Sequence, residues 1–403
     1  MSLFLTPDPL LWYTDREITI YENQTAPEEG LMTDLFDFRL LPEPLLQWYE
    51  THARTLPWRE NVTPYRVWVS EIMLQQTRAE TVKPYFERFM RELPAIRDLA
   101  ECGRDRLLKL WEGLGYYNRV RNMQEAAKTV LSDYGGQLPA DYDMLRALKG
   151  IGSYTAGAIA SIAFGIPVPA VDGNVLRVIM RVCADDSDIA KQSVKTDVER
   201  RLTAVIPADR AGAFNQALME LGATVCLPNG APLCTTCPLN AFCKARKQDI
   251  QMLLPVKGKA KKRKHEDLTI LVIRDGDRVV LRKRPDRGLL AGLYEFPNLK
   301  GHLTQDEAIR AVQEMRLHPL HIRKLTDAGH IFSHVEWHMT GYMVQVDSLT
   351  REEAGLLFIE IEDMRERYPI PSAFAAYTKY LFQMETRDFL RIQHTAPRFL
   401  PEA

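Results

Sequence analysis

The chain of 403 residues and 46.2 kDa is 46% hydrophobic and 26% charged, enough for two or three domains with real cores, and it needs no disulfide staples. Such a composition excludes disorder as the main state, and the longest near-apolar run, residues 156–171, is short and broken by Ser161, Gly165, Pro167 and Pro169, so no membrane span is expected. The net charge of −1 hides an asymmetry: residues 1–34 carry seven acids and one base, which leaves 51 bases against 46 acids in residues 35–403, the mild basicity of a polyanion binder.

Residues 1–34 form an acidic N-terminal extension without clear periodicity; Met1–Asp8 has no basic stretch ahead of an apolar core, so no signal peptide is expected, and Met32 offers an alternative start. From residue 35 to 254 helical spacing dominates, with apolar residues three and four apart over 67–77, 106–110, 123–130 and 175–182. The texture changes at residues 255–264, PVKGKAKKRK, which hold six bases and no acid. This reads as a solvated linker over 255–266, with a phosphate-touching strap as the alternative. Beyond it, alternation over 269–273, 278–282 and 331–346 predicts strands, and 306–315 a helix. The fold class is therefore a mostly α N-terminal region followed by an α+β domain over 267–385, with a tail at 386–403.

Four of six cysteines crowd into eighteen residues, spaced Cys226-x7-Cys234-x2-Cys237-x5-Cys243, while Cys102 and Cys183 stand alone. Clustering in a chain without secretory features suggests a metal before disulfides. Four thiolates suit zinc or an iron–sulfur cube. A single C-x-x-C flanked by two longer arms, rather than two knuckles, favours a [4Fe–4S] cluster, which would fold a loop whose neighbours Lys244, Arg246 and Lys247 can face phosphates.

Between two helical patterns lies Leu148-Lys149-Gly150-Ile151-Gly152. Gly150 and Gly152 permit positive φ and bare their backbone N–H groups, so the turn and the next helix N-terminus suit a DNA phosphate; a plain helix connector has the same form. Glu71 falls on the apolar stripe of helix 67–77, within about 60° of Val67, Trp68, Leu74 and Gln75 at 100° per residue. Desolvation there raises a carboxyl pKa and makes a proton donor near neutrality; a hydrogen-bonded core Glu is the alternative. Asp172, in Val171-Asp172-Gly173-Asn174 just before a helix, is either an N-cap or the partner of Glu71. Removing a base from deoxyribose needs a proton donor and an anion beside the sugar cation, which two carboxylates of unequal pKa provide.

Taken with residues 56–59 (LPWR), 70–77 (SEIMLQQT) and 113–117 (GLGYY), these motifs resemble the helix-hairpin-helix DNA glycosylases and, within them, the MutY-type adenine DNA glycosylases, over residues 35–376. The resemblance implies a six-helix module and a cluster module. It makes Glu71 the donor to adenine N7 and Asp172 the stabiliser of the oxocarbenium ion, supported by Tyr154 and Asn174. Gln76 and Tyr116 match residues that wedge into the duplex so that the target base can be extruded. Lyase-competent relatives carry a lysine where this chain has Tyr154, and a phenol forms no Schiff base, so a monofunctional glycosylase is expected. Two features depart from the family: the first cysteine gap is seven residues instead of six, and the acidic extension has no counterpart.

Residues 281–297 (LRKRPDRGLLAGLYEFP) resemble the family's MutT-like domain of Nudix fold. The helix over 305–317 has Glu307 and Glu314 but no R-E-x-x-E-E cluster to hold Mg²⁺, so this domain is expected to recognise rather than hydrolyse. By resemblance Phe332-Ser333-His334 matches the F-S-H triplet that reads 8-oxoguanine. His330, His334 and His338 recur every four residues as a helical metal trio would, yet the alternation of Ile331, Ser333, Val335 and Trp337 favours a strand. The expected whole is a DNA-associated monomer of the bacterial cytoplasm that removes adenine opposite 8-oxoguanine or guanine in double-stranded DNA. The rivals are a non-catalytic iron–sulfur DNA-binding protein and a nucleotide-pool hydrolase.

Overall fold

The structure, a computed structural model, describes residues 36–258, 262–349 and 355–382; the acidic extension and the tail lie outside the described residues. The first part is helical: α1 (Pro42–His52), α2 (Pro64–Leu74), α3 (Ala79–Glu92), α4 (Ile96–Glu101), α5 (Arg104–Leu110), α6 (Asn118–Asp133), α7 (Tyr142–Ala147), α8 (Ser153–Phe164), α9 (Gly173–Cys183), α10 (Gln192–Thr203), α11 (Ala211–Thr224) and the short α12 (Lys244–Lys247). Residues between Leu56 and Ala160 share one apolar core, in which Trp68, Phe86, Phe89 and Trp111 are fully buried and Phe89 meets Trp111 edge to face at 6.1 Å.

Helix α2 runs through the middle of that core. It starts where Thr63 Oγ1 accepts from the Arg66 N–H at 3.2 Å and Pro64 fills the first turn. Eight of its eleven residues are buried, so a carboxylate on this helix has little access to water. The helix stops at Leu74, not at Thr77 as the spacing suggests. Arg119 is the reason: its guanidinium takes the carbonyls of Ile72 (2.5 Å), Met73 (3.2 Å) and Gln75 (2.6 Å), acceptors that a helix terminus must otherwise leave to water. Gln76 then turns out of the helix with φ of 63°.

The C-terminal part comprises β1 (Lys264–Asp275), β2 (Arg278–Lys283), β3 (Tyr294–Glu295), β4 (Asn298–Lys300), α13 (Gln305–Glu314), β5 (Pro319–Lys324), β6 (Ala328–Ile331), β7 (Val335–Val346), β8 (Leu357–Glu360), α14 (Ile361–Arg367) and α15 (Ala375–Phe382). The mixed sheet runs β3-β2-β1-β7-β5, with β1 and β7 parallel and β4, β6 and β8 paired to β1, β7 and β2. Alternation along β1 sends Ile270 and Val272 to one face, with Phe374 and Tyr377, and Leu271 and Ile273 to the other, under α13. The strand expected over 331–346 is two strands: β6 ends at Ile331, and residues 332–334 form the turn into β7, closed by Phe332 N–H donating to Val335 O at 2.8 Å. The sequence gives little notice of that turn: residues 331–334, Ile-Phe-Ser-His, interrupt the alternation for one step but contain no Gly, Pro, Asn or Asp. His330 and His338 accordingly lie on paired strands rather than one helix face.

The two parts are joined by polar contacts. Tyr294 OH donates to Asp105 (2.7 Å), Lys109 Nζ to the Tyr368 carbonyl (3.2 Å), and Ile370 N–H to Glu112 (2.7 Å), while Leu293 is buried in the helical core. No helix among the described residues is long and apolar enough to cross a membrane.

Strand β7 passes under Tyr377 at Gly341, where an added Cβ would lie 2.2 Å from Tyr377 Cε1. Gly341→Ala is therefore expected to destabilise the fold by about 1–3 kcal/mol through overpacking, read as a lower midpoint in urea unfolding; an unchanged midpoint would contradict this packing of Tyr377.

Candidate active site

Glu71, only 5% exposed, points from α2 toward α8, where the Tyr154 hydroxyl donates to its Oε2. The same hydroxyl lies 3.9 Å from Met219 Sδ, a weak acceptor. Burial pushes the Glu71 carboxyl up to about 7; the Tyr154 hydrogen bond and the Arg59 charge pull it down, while the negative charge of Asp172 adds to the rise. Tyr154 in turn is held well above the usual phenol range by burial and by the charges of Glu71 and Asp172. The three groups thus converge from α2, α8 and the start of α9.

Asp172 turns out to be an N-cap as well as a neighbour of Glu71. Its Oδ1 accepts from the Val175 N–H at 2.8 Å, opening α9, and its Oδ2 from the Asn174 side-chain amide at 2.7 Å. Burial raises its pKa, and these hydrogen bonds together with the Arg177 charge offset part of the rise. The amide of Asn174 is itself oriented: its oxygen accepts from Arg177 Nη2 at 2.9 Å. Arg177 also donates to the carbonyls of Gly222 (2.6 Å) and Cys226 (2.7 Å), tying α9 to α11 and to the first cysteine. Gly222 is required there, since a Cβ would sit 2.6 Å from that of Asn174.

Behind Glu71, the buried Glu220 of α11 receives Arg54 Nε at 2.6 Å and Arg59 Nη2 at 2.8 Å. Although burial raises its pKa, the two guanidiniums, Arg54 first, hold it below its ordinary value. Arg59 of the LPWR segment thereby clamps the approach to α2 onto α11. Sequence periodicity gives no hint of Arg119, Arg177 or Glu220 as organisers; the one available signal is a charged residue inside an otherwise apolar helical stripe, as at Glu220 in α11 and at Arg177 and Arg181 in α9.

Two further expected residues share an unusual backbone. Gln76 (φ 63°) and Tyr116 (φ 47°) are left-handed without being glycine, and Tyr116 is 55% exposed. Arg119 links them: besides the α2 carbonyls it donates to Leu114 O (2.9 Å) and Gly115 O (3.2 Å), and it lies over the rings of Trp111 and Tyr116. In the hairpin between α7 and α8, Gly150 takes φ of 82°, but Gly152 does not need left-handed freedom. It sits at φ −92° as the N-cap of α8, with nothing within 4 Å of an added Cβ.

Cys226, Cys234, Cys237 and Cys243 line a single cavity with Arg181 and Arg246, and all are free thiols. Burial pushes Cys237 up to about 12, and the neighbouring thiols add to that rise. Arg181 Nη1 lies 3.3 Å from Cys226 Sγ. In the C-terminal domain Ser333 and His334 are exposed at the β6–β7 turn, and Phe332 packs edge-on against Trp337 at 4.8 Å. In α13, Glu307 is occupied by the capping box with Thr304, accepting from the Thr304 N–H at 2.7 Å.

A helical domain with a glycine hairpin, joined to an α/β sheet domain, is the architecture of a base excision DNA glycosylase carrying a Nudix-like module. Residues 69–204 match the HhH-GPD superfamily base excision DNA repair protein family, and residues 269–380 match the NUDIX domain. Adenine DNA glycosylase of Mus musculus is 36% identical over 79% of this chain and 73% of its own length; that of Homo sapiens is 35% identical over 76% and 67%. The enzyme of Buchnera aphidicola (Schizaphis graminum) is 32% identical over 75% of this chain and 86% of its own. The chain belongs to the adenine DNA glycosylase family. It is a monofunctional glycosylase, a hydrolase of N-glycosyl bonds whose substrate is DNA.

A carboxyl titrating near 7 in the fold and near 4.5 when unfolded binds an extra proton in the folded state between those values, so it costs stability progressively as pH rises from about 4.5 through about 7. Glu71→Gln removes the buried charge and is expected to raise stability at pH 8 by roughly 3 kcal/mol, at about 1.4 kcal/mol per pKa unit, with little gain at pH 5. Paired thermal melts check this; equal effects at the two pH values would contradict it.

Proposed function

We propose that the chain excises adenine opposite 8-oxoguanine, and more slowly opposite guanine, leaving an abasic site. What carries the proposal is the convergence of Glu71, Tyr154 and Asp172 in a water-poor site, with the Glu71 carboxyl near neutrality. Protonated Glu71 passes its proton to adenine N7, and the C1′–N9 bond breaks with its electron pair leaving on the base. The Asp172 carboxylate, held by Asn174 and the Val175 N–H, shields the sugar cation. Water then adds at C1′ and gives up a proton. Tyr154 orients Glu71 and, having no amine, cannot trap the sugar as an imine.

Gln76 and Tyr116, presented by strained loops that Arg119 holds together, are the proposed wedge into the duplex. Gly150 and Gly152 offer backbone N–H groups to a phosphate. An open cleft of about 810 Å³ beside this hairpin contains Lys149, Arg104, Arg121, Lys128 and Arg287 against three acids, a lining suited to the DNA backbone. Phe332, Ser333 and His334 would read 8-oxoguanine.

Cys226, Cys234, Cys237 and Cys243 would hold a [4Fe–4S] cluster. The donor set supports this: four free thiols facing one cavity become four mutually repelling anions on ionisation, and a cationic centre resolves that. Bound there, the cluster supplies a cross-link for residues 226–243 beside α9.

Duplexes bearing adenine opposite 8-oxoguanine, guanine, cytosine and thymine, treated with alkali after incubation, test the proposal. Alkali-labile product is expected from the first two alone, and Glu71→Gln is expected to lose about 10²–10⁴-fold in rate. Equal cleavage of all four duplexes, or strand scission without alkali, would overturn it.

A further inference from the structure

We propose that the rim of the C-terminal sheet binds one divalent transition-metal ion, zinc above all, through His265, Glu336 and His338. The parallel register of β1 and β7 sets His265 opposite Glu336 and Asp267 opposite His338. Side chains alternate across a sheet, so these four share a face. It is the face that carries Leu271, Ile273, Tyr342 and Val344 under α13, and at its open end His265 and His338 are exposed and Glu336 half-buried.

One ligand atom from each of His265, Glu336 and His338 lies within 4.8 Å of the others. Donors around a tetrahedral zinc with bonds near 2.0–2.1 Å stand about 3.3 Å apart, a gap that small rotations of exposed side chains close. Two imidazoles and a carboxylate suit zinc, copper or nickel rather than magnesium or calcium, which take oxygen ligands. Three protein donors leave one position for water.

Two carboxylates flank the His338 ring. His338 Nε2 lies 3.1 Å from Glu336 Oε1, while its Nδ1 lies 4.0 Å from Asp267 Oδ1. A carboxylate hydrogen-bonded to the second ring nitrogen is how metal-bound histidines are usually oriented and made more basic; Asp267 stands on that side of the ring, a side-chain rotation short of hydrogen-bond distance. His302 completes the rim, 3.8 Å from Asp267 and 3.1 Å from the His338 carbonyl. The loop carrying it is pinned by Thr269, whose Oγ1 donates to Gly301 O at 2.7 Å and accepts from the Leu303 N–H at 2.8 Å.

The ion would clasp the first residues of β1 to those of β7. Both flank the 332–334 turn, where Lys264 N–H donates to His334 O at 3.0 Å and Arg263 Nε to Phe332 O at 3.1 Å. Zinc is thus placed to stiffen the turn without touching the glycosylase chemistry.

The test uses the untagged full chain with its cysteine-held metal in place, equilibrium-dialysed against Zn²⁺, with zinc and iron counted by mass spectrometry before and after. One zinc per chain beyond the cysteine-held metal is expected, with iron unchanged. His265→Ala and His338→Ala, both at exposed positions, should each weaken binding at least tenfold, and Asp267→Asn by about tenfold, in line with the usual cost of losing a carboxylate that orients a metal-bound histidine. Zinc should raise the melting temperature of the wild type and not of the His265→Ala/His338→Ala double variant. No added zinc in the wild type, uptake undiminished in both histidine variants, or iron lost in step with zinc gained would each overturn the proposal.

Discussion

The structure turns on the burial of one carboxyl group. Glu71 sits on a helix with eight of eleven residues out of water, and its hydrogen-bond donor among the described residues is a phenol that is itself buried. A carboxylate there is costly, so the group keeps its proton close to neutral pH. The placement of Asp172 reinforces this, because a second negative charge nearby disfavours ionisation of the first. The site therefore separates the two acids by environment: among the described residues Glu71 accepts from Tyr154 alone, while Asp172 has a backbone N–H, a side-chain amide and a helix N-terminus.

Holding such a site together falls largely to arginines that bond carbonyl groups. Arg119 fastens the end of α2 to the 113–117 loop, and Arg177 fastens Asn174 to Gly222 and Cys226. A planar guanidinium reaches several carbonyls at fixed angles, which a lysine cannot reproduce. Burial lowers the pKa of both, Arg119 to about 10, yet that leaves them charged at neutral pH. Glu220 does the reverse, one buried carboxylate binding Arg54 and Arg59. These three residues brace the segments that carry Glu71 and Asp172, α2 and the start of α9, against partners distant in sequence.

Much of this was legible in the sequence. The helical spacing marked α2, α6 and α9, the break in composition near residue 255 marked the passage from helices to strands, and the stripe position of Glu71 anticipated its desolvation. Three things escaped for definite physical reasons. The end of α2 is set by Arg119, which is 45 residues beyond Leu74 and invisible to local periodicity. The β6–β7 turn contains none of Gly, Pro, Asn or Asp, so the strand expected over 331–346 concealed a hairpin. Gly152 looked like a φ-driven glycine but serves as an N-cap, where a missing side chain bares the helix start instead. The histidines show the same limit: recurrence every four residues drew attention to His330, His334 and His338, whereas His338 is brought to His265 and Glu336 by a parallel register that only the folded sheet defines.

The central claim is that the fold, and not the bound substrate, keeps a proton on Glu71 near neutral pH. Carbon-13 resonances of the glutamate side-chain carboxyls, with Glu71 assigned by its loss in Glu71→Gln, measure this in the free protein. The account predicts a midpoint near 7 that moves down when Asp172→Asn removes the neighbouring charge. A midpoint close to 4.5 in the wild type, or one indifferent to Asp172→Asn, would contradict it.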